Sequence, residues 1–141
     1  MEIDRLAPVT FINNHASEIP PFGVMQITNA VADGADLVYQ VTRPTAAVIA
    51  YGSPSRYLFN GSGYVSSGGK GGGYFPSPQV QALALPGSSV GLGDYLQFLS
   101  PVADQWYLGS GWHYEAVIAS DPLGIHEEGA ARVWRIQNRT Q

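Results

Sequence analysis

Glycine and lysine form the pattern that most invites chemistry in this chain. Seven of the thirteen residues in Gly61–Gly73 are glycine, and Lys70 sits among them. A glycine-rich loop ahead of a lysine can cradle phosphate with its backbone N–H groups when the spacing is right. Here the spacing is wrong. Five residues separate Gly63 from Gly69, one more than a phosphate-binding loop allows, and Gly71 follows Lys70 where a hydroxyl must reach magnesium. No helix-forming sequence follows to set a helix N-terminus behind a phosphate. The stretch reads as a long loop between aromatic anchors: Tyr57, Phe59 and Tyr64 near its start, Tyr74 and Phe75 after it.

Histidine and carboxylate come in pairs rather than ligand sets. His113 and Glu115 would share one face of a strand, His126-Glu127-Glu128 forms a second group, and His15 stands alone in a turn. Neither a His-Glu-x-x-His pattern nor a calcium loop is present. Ser110 lies between Gly109 and Gly111, which is a hairpin turn rather than a nucleophile elbow. Glu115 with Asp121, or Asp94 with Asp104, would be acid pairs only if the fold brought them together. Cysteine is absent, which removes disulfides, thiolate metal sites and a cysteine nucleophile. Catalytic, cofactor and metal sites are therefore expected to be none.

Aromatic residues offer a binding reading. Trp106, Tyr107, Trp112 and Tyr114 surround a glycine turn, as they would in a module that stacks sugar rings. Alternation sets core packing against it, since Trp106 and Leu108 share a face while Trp112 and Tyr114 can fill a sandwich interior. Interface anchoring is the third option. Arg132, Arg135 and Arg139 do not share one side of a strand, so an edge salt-bridged to Glu127 or Glu128 is the simpler reading.

The elements that must position these residues are short strands. Ala7–Ile12, Phe22–Thr28 and Leu37–Thr42 carry strand residues, and Leu37, Tyr39 and Val41 alternate with Val38, Gln40 and Thr42. Asp33-Gly34 marks a turn, so the second and third segments form a hairpin with a linker longer than the tight type. Thr45–Tyr51 is ambiguous between helix and strand. Strand patterning returns at Val80–Leu85, Asp94–Leu99, Trp106–Leu108, Trp112–Ile118 and Ala131–Gln137. Phe11, Met25, Ile27, Tyr39, Val41, Trp134 and Ile136 are the expected core. No internal repeat of fixed period stands out. Turns every 8–15 residues and no long helical period predict an all-β fold: an antiparallel sandwich or barrel of short strands with a long Gly-rich loop.

Composition bounds the partners. The 141 residues suit one domain, residues 1–141, with an extended N-terminal segment over residues 1–20 and the loop over 61–73. A net charge of −4 and a pI near 5.1 argue against direct nucleic-acid binding. No run is long and apolar enough to span a membrane, and Met1-Glu2-Ile3-Asp4-Arg5 lacks the basic-then-apolar pattern of a secretory signal. Charged residues are only 13% of the chain, about half the usual quarter. That leaves one charge per about 400 Å² of surface, which favours a subunit covered by others, most simply a homotrimer.

Phe11-Ile12-Asn13-Asn14-His15-Ala16-Ser17-Glu18-Ile19-Pro20-Pro21-Phe22-Gly23-Val24-Met25-Gln26-Ile27 resembles the opening of small all-β structural proteins of tailed-bacteriophage virions. Trp106-Tyr107-Leu108-Gly109 and the strand-rich C-terminus are similar in style. The resemblance implies a capsid cement (decoration) protein that stabilises the phage head by binding between capsid subunits. It implies the major capsid protein or other virion subunits as partners, and a place in the virion after assembly in the host cytoplasm. It carries no catalytic residue. The uncharged segment supplies the candidate subunit or capsid interface: Tyr64, Lys70, Tyr74 and Phe75. The competing readings are a carbohydrate- or receptor-binding module of a phage tail, and a small metal-dependent enzyme.

Overall fold

The computed structural model describes residues 8–46, 56–76, 79–84, 98–111, 113–116, 127–128 and 131–138. Every element in it is a strand. The first five are β1 (Val9–Asn13), β2 (Val24–Asp33), β3 (Asp36–Thr42), β4 (Tyr57–Asn60) and β5 (Lys70–Tyr74). They close into a barrel in the order β1-β3-β2-β4-β5, with β5 returning to β1. The others are β6 (Val80–Ala84), β7 (Phe98–Pro101), β8 (Leu108–Ser110), β9 (Tyr114–Ala116), β10 (Glu127–Glu128) and β11 (Ala131–Asn138). Here β11-β6-β8-β7-β9 form a second ring, closed by the β9–β11 pairing, and β10 adds to the edge of β11.

The two rings are wound alike. In each, the first strand runs parallel to the third (β1 with β3, β6 with β8), and every other pairing around the ring is antiparallel. The repeat absent from a reading by period is thus present in the strand order. Once the order is known, the sequence follows it: Val9 and Val80, Val31-Ala32-Asp33 and Val102-Ala103-Asp104, and Leu37 and Leu108 are each 71 residues apart. The match is confined to the first three strands of each ring, too sparse to stand out against unrelated loops.

Alternation sorts the side chains into two interiors that meet at a common wall. Phe11, Met25, Val41 and Leu58 point into the first barrel, with Ile27 and Tyr39 half-buried against them. Val24, Tyr57 and Phe59, from the same strands β2 and β4, point the other way and pack with Ala82, Ala84, Leu99, Leu108, Tyr114 and Ile136. Of the expected core, Phe11, Met25 and Val41 belong to the first interior and Ile136 to the second. Trp134 lies on β11, and its side chain is outside the described residues.

Three expectations change. The long Gly-rich loop ends at Gly69, because Lys70–Tyr74 is the strand that closes the first barrel. Glycine is required there: a Cβ on Gly71 would lie 2.9 Å from Phe11 and Val65, and one on Gly73 would lie 2.9 Å from Leu58. The N-terminal segment is a barrel strand from Val9, and Ile19 is buried and bridged to Val65, so this part is built into the domain. The β2–β3 linker is tight. Asp33 pairs with Asp36 across Gly34-Ala35, and Gly34 takes φ 65°, which glycine adopts without a Cβ clash.

Gly73→Ala should therefore destabilise the fold by about 1–3 kcal/mol through overpacking against Leu58 and Phe11. Gly63→Ala, where nothing lies within 4 Å of the added carbon, should stay within about 0.5 kcal/mol of wild type. Urea denaturation of the two variants measures the difference.

Candidate interaction surface

The groups able to do chemistry are mostly turned inward. Ser100 and His113 form a hydrogen-bonded pair in the second barrel, Ser100 Oγ lying 2.8 Å from His113 Nδ1 and accepting from the His113 N–H at 3.2 Å. His113 is wholly buried and stands edge-on to the Tyr57 ring at 5.7 Å. Glu115, two residues on, accepts from Gln137 Nε2 at 2.9 Å. No three His, Asp or Glu side chains gather as a metal site among the described residues. His126, Asp94 and Asp121 lie outside the described residues.

Burial also decides the aromatic cluster. Trp106 is 3% exposed and Tyr114 is wholly buried, so neither offers a ring face to a sugar. Trp112 lies outside the described residues. Trp106 instead joins the first barrel's interior, carried there by the segment between β7 and β8. Its carbonyl accepts from the Val24 N–H at 2.8 Å, and the Asp104 N–H donates to the Pro44 carbonyl at 3.0 Å. His15 meets the indole edge-on at 5.4 Å, and the Arg43 guanidinium lies 5.4 Å from its ring centre. Burial, and then the nearby Arg43 cation, hold the His15 imidazole below its ordinary value. Its Nδ1 accepts from the Ser17 N–H at 3.0 Å, which suits the neutral ring.

The four interface candidates are spread along one side of the first barrel. Lys70, Gly72 and Tyr74 face outward on β5, because Gly71 and Gly73 face in. Lys70 is exposed and pairs with Asp33 at 3.6 Å. Tyr64 is 57% exposed in the loop before β5. Phe75 is half-buried and packs edge-on to Tyr39 at 5.7 Å, which makes it a wall residue more than a contact residue. Beside Lys70, a shallow open hollow of about 260 Å³ is lined by Pro8, Val9, Thr10, Gly71 and Gly72. Lys70 is thus the one charged residue of the two strands that form this face, β1 and β5.

One surface carries no signal of chemistry in the sequence. Past β4, the hairpin of β2 and β3 runs on as a ribbon in which residues 28–37 are all exposed; β1 backs β3 from Val38 onward, so only the tip, residues 32–37, is two-stranded. Large core residues are replaced there by Ala30, Val31, Ala32, Ala35 and Leu37. Only the spread of exposure reveals it. Comparison with family models, with curated proteins and with solved structures finds no match.

Two buried side chains, Tyr57 in the shared wall and Trp106 in the first interior, make the burial testable. Tyr57 is wholly buried, and its hydroxyl has no hydrogen-bond partner among the described residues. Burial pushes its pKa up to about 12, with Arg56 opposing the shift. The folded state thus favours the neutral phenol, so stability is full below pH 10 and falls between pH 10 and about 12. Tyr57→Phe should raise stability by about 1 kcal/mol and flatten that alkaline decline, read from denaturation midpoints across pH. Trp106→Ala should cost about 3–5 kcal/mol, as a buried plug requires, against less than about 1 kcal/mol for a surface stacking platform.

Proposed function

We propose that this chain is a structural protein without catalytic activity: a capsid cement (decoration) protein of a tailed phage. On this reading it attaches to the major capsid protein or other virion subunits and reinforces the head. The observation that carries the reading is the β1–β5 face, where a glycine strand locked by Phe11, Val65 and Leu58 presents an almost uncharged surface. Lys70 and Tyr64 are exposed side chains on this part of the barrel. Such a face suits a broad protein partner better than a small ligand, because its hollow is shallow and open. A rigid strand adds little ordering cost when it docks. The low charge of the whole chain supports the same reading, since covered surfaces need less solubilising charge.

Empty shells assembled from a tailed-phage major capsid protein are the test. Wild-type protein should co-sediment with them and raise their thermal transition. Lys70→Glu combined with Tyr64→Ala should weaken binding by about 30-fold or more while leaving the unfolding midpoint of the isolated protein unchanged. Shells that neither bind nor gain heat resistance, together with specific glycan capture, would replace this reading with the receptor-binding one.

A further inference from the structure

The two barrels use the same hairpin differently. In the second, strand pairing stops at Pro101–Leu108, and the residues between, Val102–Tyr107, splay onto the first barrel. That segment buries Trp106, hydrogen-bonds Val24 and Pro44, and half-buries Val102. The first barrel holds its counterpart 71 residues earlier, with the same Val-Ala-Asp and the same following leucine. There the pairing zips to the tip at Asp33–Asp36, and residues 28–37 are exposed, with no described strand laid over them. Leu108 is wholly buried, whereas Leu37 is 48% exposed; Val102 is half-buried, whereas Val31 is 41% exposed.

We propose that the β2–β3 ribbon is the contact through which copies of this chain join head to tail, docking on the second barrel of a neighbouring copy. The occupant follows from the repeat. Within the chain, the hairpin of the second barrel seats on the first barrel. Applied to the other unit, the same relation takes the first hairpin to a second barrel. Its own second barrel already meets the first through the β2–β4 wall, so the receiving barrel belongs to another copy. The ribbon is built for such a contact. From Ile27 to Asp33 the outer edge of β2 pairs with no strand among the described residues, leaving backbone groups for a partner. Exposed apolar residues lie on both faces, and the two-stranded tip, residues 32–37, has no third strand among the described residues to support it. Asp33 and Asp36 sit directly opposite each other, a like-charge pair that weakens the tip on its own, and Asp33 pairs with exposed Lys70 at 3.6 Å. A head-to-tail contact of this kind closes into a ring or extends as a filament. It joins copies of the chain and needs no shell, so its failure leaves the shell-binding reading untouched.

Cross-linking on the whole protein tests this, and the absence of cysteine makes the labelling clean. Val31→Cys carrying a benzophenone probe should, on illumination, give adducts of twice the 15.1 kDa chain mass. Mass spectrometry should map the far end to β6–β11 of the other copy. Separately, Val31→Asp with Leu37→Asp should weaken self-association at least about 30-fold by sedimentation. Both residues are exposed, so the circular dichroism spectrum and unfolding midpoint should not change. Wild-type protein that stays monomeric at micromolar concentration overturns the proposal. So do adducts that join ribbon to ribbon, adducts confined to one chain, or self-association that survives the double substitution.

Discussion

The fold depends on one short strand with no solvent face. All four residues of β4, Tyr57–Asn60, are buried. Leu58 fills the first barrel, Tyr57 and Phe59 fill the second, and Asn60 ties the adjoining loops. Its side-chain amide donates to the Pro20 carbonyl at 2.9 Å and to the Gly63 carbonyl at 2.7 Å. A small barrel on its own has a thin core. Sharing a wall lets each interior borrow side chains from the other, so the two rings lose stability together.

The shared wall explains the odd backbone at its end. Phe22 adopts φ 62°, a left-handed conformation that a bulky residue takes only when held there. Its N–H donates to Gly61 and its carbonyl accepts from the Leu83 N–H, both at 2.9 Å, while its ring packs on Leu83. Phe22 therefore bolts β6 of the second barrel to the loop entering β2. The Pro20-Pro21 pair delivers it by limiting the backbone, and a Cβ on Gly23 would lie a tight 3.1 Å from the Pro20 carbonyl oxygen.

How much of this was legible follows from what each environment does to sequence. β1 and β3 have one face toward an interior and one away, so their alternation shows. β4 is buried on both faces and loses that period; Tyr-Leu-Phe-Asn looks like any apolar patch. β5 is masked for the opposite reason. Phe11 occupies the space where its inward side chains would go, so the strand is written in glycine, the residue that otherwise signals a loop. The outward positions were partly readable, since Lys70 and Tyr64 are exposed, whereas Phe75 is wall. The ribbon was invisible because alanines and a valine can serve a core or a surface equally well.

The unequal hairpins show how a duplicated plan becomes an asymmetric subunit. Residue 106 of the second unit corresponds by spacing to Ala35 of the first. A tryptophan at that point brings a large apolar surface that the first barrel's interior can accept, and reaching it breaks the last strand pairs of the hairpin. Burial of the indole outweighs the few backbone bonds lost, and two new ones are made, to Val24 and Pro44. Alanine brings no such reward, so the first hairpin keeps its full ladder and stands in solvent. One hairpin is thus committed within the chain, while its twin keeps both faces exposed and an edge of β2 that no described strand pairs.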